Sequence, residues 1–190
     1  MSQPLSLARL AFLKIHGRPG IEIDHNEATK YRTLCNRIGS GGLYWLTNAA
    51  QKGLAGAQLS IGLCHYNSIG IKEDDQLAFS YFLKSADQGL APAQNMVGNL
   101  YLEGSGCEKN EEAGLRWYIR AAEHREAAAI FNIGTLYERG IGVEQSYAQA
   151  YDWYVRAAMY GSIVALNVLG IFHERGFAVC FLYLIHIPLI

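Results

Sequence analysis

The stretch AAAIFNIGTLYERGIGVEQSYAQAYDWYVRAAMYGS, residues 127–162, carries the pattern that decides the fold. Its residues recur at intervals of 36 in two preceding stretches, 91–126 and 55–90, and in a shorter one, 163–176. Glycine and alanine show the period most clearly, at Gly62, Gly98, Gly134 and Gly170 and at Ala57, Ala93, Ala129 and Ala165. A period of this length is the signature of a repeat architecture, in which each copy packs on its neighbours.

Each copy contains two helical patterns separated by a glycine turn. In one copy, apolar residues at helical spacing run from Ala93 to Glu103, where Gly104 and Gly106 interrupt them. A second helical pattern begins near Glu111. The sequence therefore predicts an all-α protein, a right-handed superhelical solenoid of helix-turn-helix repeats.

The glycine in the middle of each first helix needs a structural reason, because glycine there costs about 1 kcal/mol relative to alanine. Close crossing of the two helices of a copy supplies that reason, and we expect Trp117 and Tyr118 to fill the space between copies. The turn glycines supply a positive φ at the helix end. We assign a scaffold role to the recurring residues Gly62, Gly98, Gly134, Gly170, Gly106, Gly142, Trp117 and Trp153.

The repeat divides the chain into three regions. Residues 1–42 hold a degenerate copy with an insertion, 43–176 form the array, and 177–190 are an apolar tail that does not fit the repeat. The array is predicted to comprise partial and full copies, at 43–54, 55–90, 91–126, 127–162 and 163–176. The tail, FAVCFLYLIHIPLI, is shorter than the roughly 20 residues that cross a bilayer, so a truncated or wrongly predicted end is favoured over membrane contact.

Composition and motifs argue against several classes of function. The 16 Lys and Arg residues nearly balance 17 Asp and Glu, so we expect no nucleic-acid partner. The four cysteines and six histidines lack the spacing of a metal site. The sequence also shows no phosphate loop, dinucleotide fingerprint or nucleophile elbow. We therefore predict no catalytic residue, metal or cofactor, and a cytoplasmic location because no signal peptide is evident.

Residues that change from copy to copy are the candidates for binding. They occur as pairs four residues apart on the first helix of each copy, and hence on one helical face. The pairs are Leu59 and Leu63, Asn95 and Asn99, Phe131 and Thr135, and Asn167 and Ile171. First helices usually line the concave side of a helical solenoid, so these pairs are expected to contact a protein or peptide. The alternative, that Leu59, Leu63 and Phe131 are simply core, stays open.

The repeat resembles that of the Sel-one-like repeat family, which is related to the tetratricopeptide repeats. The family pattern is approximately A-x-A-x-x-x-L-G-x-x-Y-x-x-G-x-G-V, then a polar link, then A-x-x-W-Y-x-x-A-A-x-x-G. The matching residues in one copy are Ala127, Ala129, Ile133, Gly134, Tyr137, Gly140, Gly142, Val143, Ala150, Trp153, Tyr154, Ala157, Ala158 and Gly161. The resemblance covers residues 43–176, with Glu123, His124 and Arg125 at a place where the pattern ends in glycine.

The resemblance implies an adaptor or scaffold that binds proteins. One alternative is a membrane-associated regulatory subunit, for example of a cell-wall synthase or a quality-control complex. Another is a β-lactamase-like hydrolase, which the missing nucleophile motif argues against. Fold by itself does not decide between them.

Overall fold

A computed structural model describes residues 40–174, and this part of the chain is helical, with no strand. Its helices are α1 Ser40–Gln51, α2 Ala55–Tyr66, α3 Asp75–Asp87, α4 Ala91–Glu103, α5 Glu111–Glu123, α6 Ala127–Arg139, α7 Tyr147–Met159 and α8 Ile163–Glu174. The first helix of a copy is here called an A helix (α2, α4, α6, α8), and the second a B helix (α1, α3, α5, α7). The predicted all-α helix-turn-helix class is confirmed. Predictions about residues 1–39 and 177–190 lie outside the described residues.

The described residues belong to two compact units, 40–110 and 111–174. In the first unit, α1 packs on α2, α2 on α3 and α3 on α4. In the second, α5 packs on α6, α6 on α7 and α7 on α8. Within each unit the main packing is therefore between consecutive helices, as a repeat requires.

Each unit has its own buried apolar cluster. The cluster of the first unit contains Leu46, Ala50, Ile61, Cys64 and Ile69. That of the second unit contains Ile130, Ala150, Tyr154, Ala157, Ala165 and Phe172. Two glutamines add polar ties between consecutive copies of the first unit: the buried Gln58 and Gln94 amides donate to the carbonyl oxygens of Ala50 and Ala86, both at 3.2 Å.

The glycine turns adopt the positive φ that the sequence predicts. Gly104 and Gly140 end α4 and α6 in the left-handed conformation, with φ of 74° and 67°. The second turn glycines, Gly106 and Gly142, have φ of 69° and 67°. A side chain would strain the backbone at each of these four positions.

The second turn glycine has a further role that the sequence did not reveal. A Cβ added to Gly106 would lie 2.1 Å from the carbonyl oxygen of Asp75, at the start of the preceding B helix α3. At the equivalent Gly142, an added Cβ would lie 2.9 Å from the Cβ of Glu111 at the start of α5. The neighbouring Ser105 hydroxyl donates to the Asp75 carboxylate at 2.6 Å. Because these glycines have no side chain, each turn can pack closely against the start of the B helix of the previous copy.

Arg125 occupies the place that glycine holds at the other B-to-A turns. Its φ is 58°, whereas Gly53, Gly89 and Gly161 have φ between 85° and 91°. The turn still closes with a hydrogen bond from the Glu126 amide to the Ala121 carbonyl, at 3.2 Å. The departure from the family pattern thus preserves the turn, at the cost of a left-handed residue that has a side chain.

Candidate interaction surface

The glycine inside an A helix forms a notch for an aromatic ring of the B helix of the same copy. A Cβ added to Gly62 would lie 2.8 Å from Cδ1 and Cε1 of Phe82 and 3.3 Å from the Ala78 carbonyl oxygen. At Gly134 the corresponding distance to Cε1 of Tyr154 is 2.7 Å. Both rings are almost fully buried. The predicted close crossing of the two helices is confirmed at these two glycines.

At Gly170 no described residue lies within 4 Å of an added Cβ, and the second helix of that copy lies outside the described residues, so the close crossing expected there stays a prediction. Phe82 and Tyr154, which are the counterparts of Tyr118, pack on the glycine of their own copy rather than only between copies. Tyr154 does both, because its ring also meets that of Phe172 in the next copy, with centroids 5.7 Å apart.

The predicted binding residues of the first unit are half-buried. Leu59 and Leu63 lie on α2, and Asn95 and Asn99 lie on α4. Each of these four side chains is therefore partly accessible. Their role in binding stays a prediction.

Phe131 and Thr135 on α6 are largely engaged by the B helix of their own copy. The Phe131 ring lies 5.2 Å from that of Tyr154, centroid to centroid. The Tyr154 hydroxyl donates to the Glu138 carboxylate, and its oxygen lies 3.4 Å from the Thr135 hydroxyl oxygen. Burial and the Glu138 carboxylate raise the pKa of Tyr154. This arrangement favours a packing role for Phe131, as the open alternative held.

Asn167 and Ile171 on α8 are the exposed members of the predicted set. Ile171 has 45% of its surface exposed, and no described residue lies within 4 Å of a Cβ added to the neighbouring Gly170. Leu166 and Ile163 on the same helix are 56% and 53% exposed and were not among the predicted residues. The equivalent of Leu166 in the preceding copy is Ile130, which is 2% exposed. The sequence alone does not show this difference in exposure, because both positions carry a large apolar residue.

His65 takes the place of the repeat tyrosine, and its surroundings support the predicted packing role. Its ring stacks on that of Tyr81, with centroids 6.1 Å apart. Its Nδ1 atom is buried and has no hydrogen-bond partner among the described residues. Burial lowers the pKa of His65, while the Asp74 carboxylate and a backbone hydrogen bond to Lys72 act in the opposite direction.

The neutral imidazole of His65 predicts acid sensitivity. Because its pKa is lower in the folded chain than in the unfolded chain, the unfolded state binds more protons below about pH 6.5, and stability falls as the pH falls through that range. His65→Tyr, which restores the residue found at Tyr101 and Tyr137, should reduce this loss. Urea unfolding at neutral and mildly acidic pH measures it, and an identical pH dependence in both proteins would contradict the assignment.

The repeated aromatic residues of the B helices are capped by cations. The Arg120 guanidinium lies 4.6 Å from the Trp117 ring centroid, and that of Arg156 lies 4.9 Å from the Trp153 ring centroid. In the first unit the Lys84 ammonium lies 5.4 Å from the Tyr81 ring centroid. Trp153 also packs against the buried cluster of its unit. A cation therefore lies over each of these three rings, and the scaffold role of Trp117 and Trp153 stays a prediction.

The described residues offer little that resembles a reactive centre. Between residues 40 and 174, no group of three His, Cys, Asp or Glu side chains could hold a metal ion. Cys64 and Cys107 are free thiols, and burial raises the pKa of Cys107. None of the described helices is both long and apolar enough to span a membrane.

The comparison with protein families finds the repeat at four places. A family model for the Sel1 repeat matches residues 4–31, 55–90, 91–125 and 127–162. No curated protein sequence matches the chain.

Solved structures match the fold over most of the chain. A Sel1 repeat protein from Oxalobacter formigenes is 31% identical, with a TM-score of 0.65, over 90% of this chain and 45% of its own. A protective antigen of uropathogenic Escherichia coli strains that displays an SLR fold is 26% identical, with a TM-score of 0.65, over 91% of this chain and 34% of its own. This chain therefore spans less than half the length of either protein.

The third comparison is with the cysteine rich protein B of Helicobacter pylori. It is 19% identical, with a TM-score of 0.53, over 66% of this chain and 90% of its own. At that identity the likeness concerns the fold alone.

Proposed function

This chain belongs to the Sel1 repeat family, and from that premise we propose that it is a binding module that holds a protein or peptide partner on its A helices. Sel1 repeat proteins are generally protein-interaction scaffolds. The finer assignment, to particular residues of this chain, is our proposal.

One observation carries the proposal, namely the division between recurring and varying residues on the same helices. The recurring glycines of α2 and α6 are enclosed by rings of the following helix. By contrast, the varying pairs Leu59 and Leu63 and Asn95 and Asn99 keep part of their side chains accessible. Residues that are enclosed within the scaffold cannot contact a partner. The proposal therefore assigns recognition of the partner to the accessible residues that vary between copies.

The chemistry of these pairs suggests what kind of segment they contact. A leucine pair offers apolar contact, and an asparagine amide both donates and accepts hydrogen bonds. That combination suits an extended peptide, whose backbone N–H and C=O groups are not already paired with one another. The proposed partner is therefore a peptide segment with apolar side chains, recognised in the first unit on α2 and α4.

The test is a charge substitution at the asparagine pair. The immobilised full chain captures partners from a lysate of its source organism, and the Kd of each purified partner is then measured. Asn95→Glu with Asn99→Glu should weaken binding at least about tenfold, because burying an unpaired charge at an interface costs more than the 1.4 kcal/mol that this factor represents.

A matched control makes the same change of charge on a B helix of the same unit. Gln76→Glu with Ser80→Glu also introduces two carboxylates four residues apart, on α3. This control variant should bind as the unaltered chain does. Equal binding by the Asn95 and Asn99 variant, with its stability unchanged, would remove the A helices from the proposed surface.

A further inference from the structure

A hydrogen bond joins the accessible faces of α2 and α4 at one end. Tyr66 lies three residues after Leu63 and continues the face of the leucine pair. Glu103 lies four residues after Asn99 and continues the face of the asparagine pair. The Tyr66 hydroxyl donates to the Glu103 carboxylate at 3.2 Å. The two faces therefore lie side by side; we call them together the A-helix face, formed by Leu59, Leu63, Tyr66, Asn95, Asn99 and Glu103.

The B helix between α2 and α4 fixes the position of the Tyr66 ring. The ring packs edge to face against that of Phe82 on α3, with centroids 6.4 Å apart. Tyr66 is half-buried, whereas Glu103 is exposed. An ionised carboxylate has about four lone-pair sites, so one bond from Tyr66 leaves Glu103 able to bind a cationic group. All three helices lie in the first unit, so the whole arrangement belongs to the described part of the chain.

The charge at this end of the A-helix face is not balanced within residues 40–174. The last turns of α3, α5, α6 and α7 each contain Lys or Arg, the favourable sign at a helix C-terminus. The last turn of α4 contains no basic residue and ends in Glu103, which forms no ion pair in this part of the chain. The basic residue in the last turn of α2 is His65, whose pKa burial lowers. A cation from a partner would therefore be stabilised here.

Further carboxylates act on the same tyrosine. Burial raises the pKa of the Tyr66 hydroxyl, and three carboxylates raise it further, those of Glu103, Asp75 and Glu73. Like Glu103, neither Asp75 nor Glu73 has an ion-pair partner among the described residues. No group of three His, Cys, Asp or Glu side chains in residues 40–174 could hold a metal ion. The cation that complements this end of the face is therefore a basic side chain.

We propose that the partner peptide carries a lysine or arginine close to its apolar side chains, and that this residue binds the Glu103 carboxylate at the shared end of α2 and α4. The inference rests on the proposed function, because the A-helix face receives the apolar part of the same peptide. Leu59 lies seven residues before Tyr66, about 10 Å along the helix axis. An extended peptide covers that distance in about three residues. The basic residue thus lies about three positions from the apolar residue that contacts Leu59.

The probe is a phage-displayed library of random linear peptides, selected on the immobilised full chain. We expect the selected peptides to carry Lys or Arg about three positions from an apolar residue. Selection on Glu103→Gln should give peptides without this enrichment. Asp87→Asn is the matched control, because Asp87 is also an exposed carboxylate of the first unit but ends the B helix α3. The control variant should select the same peptides as the unaltered chain.

A double-mutant cycle on one selected peptide assigns the contact. Replacing its basic residue by glutamine should weaken binding to the unaltered chain about fivefold, since an exposed ion pair contributes up to about 1 kcal/mol. The same replacement should have no effect on binding to Glu103→Gln. Tyr66→Phe keeps the ring against Phe82 but removes the hydroxyl that positions the carboxylate, so it should reduce the fivefold difference.

Selected peptides without a basic residue, or the same selection on Glu103→Gln as on the unaltered chain, would overturn the inference. So would a larger loss of stability in urea for Glu103→Gln than for Asp87→Asn, because the carboxylate would then be paired within the chain. Peptides that lack a basic residue but bind more weakly to Asn95→Glu with Asn99→Glu would support the proposed function and contradict only this inference. Failure to select any peptide would contradict both.

Discussion

Gly62→Leu is expected to lower the free energy of unfolding by about 3 kcal/mol, at the upper end of the cost of overpacking a core. The Cβ alone would lie 2.8 Å from two carbon atoms of the Phe82 ring, which is fully buried. The Ala78 carbonyl oxygen, 3.3 Å away, blocks the other side. Urea unfolding of the full chain measures the loss.

Gly56→Leu is the matched control, because Gly56 lies on the same helix and has nothing within 4 Å of an added Cβ. It should leave stability unchanged or slightly raised, since leucine has the higher helix propensity. In a Phe82→Ala background the cost of Gly62→Leu should shrink, because the ring it collides with is gone. Equal effects of Gly62→Leu and Gly56→Leu would show that the ring does not occupy the notch.

Gly106→Ala is the second change for which we expect a large effect, a loss of about 3 kcal/mol or more. Two costs add at this position. A side chain at φ 69° is strained by about 1 to 2 kcal/mol. The added Cβ would also lie 2.1 Å from the carbonyl oxygen and 2.5 Å from the carbonyl carbon of Asp75, and backbone atoms cannot escape by changing a rotamer.

Gly89→Ala separates the two costs, because Gly89 also has a positive φ, 85°, but nothing within 4 Å of an added Cβ. It should cost about 1 kcal/mol, the strain alone. The difference between the free energies of unfolding of the two alanine variants, measured with urea, gives the cost of the clash between the turn and α3. Similar losses would mean that the turn is held by its conformation and not by contact with the preceding copy.

The scaffold could be predicted from sequence because periodicity records it directly. A residue that recurs every 36 positions meets the same neighbours in each copy, as Gly62 and Gly134 do with Phe82 and Tyr154. The turn glycines could be identified in the same way, because a positive φ selects glycine regardless of its neighbours. Neither inference required knowledge of which helix packs on which.

The binding surface could be predicted only in part. Spacing on α6 places Phe131 and Thr135 together, but it does not show that both contact Tyr154 on the next helix. The same spacing placed Asn167 and Ile171 on α8, where nothing described covers them. Identical patterns thus led to a packed pair in one copy and an exposed pair in another.

The sequence by itself determined the repeat, the alternation of two helices with glycine turns, and the family. Those features depend on local conformation and on contacts that recur with the period, and both leave a pattern that can be read from one amino-acid sequence. Only the tertiary structure decided what fills the recurring positions: the Phe82 ring closes on Gly62 and the Tyr154 ring on Gly134, whereas no described residue lies within 4 Å of a Cβ added to Gly170. Burial depends on whether a neighbouring helix is present, and that is a property of the packed chain rather than of the residue at the position.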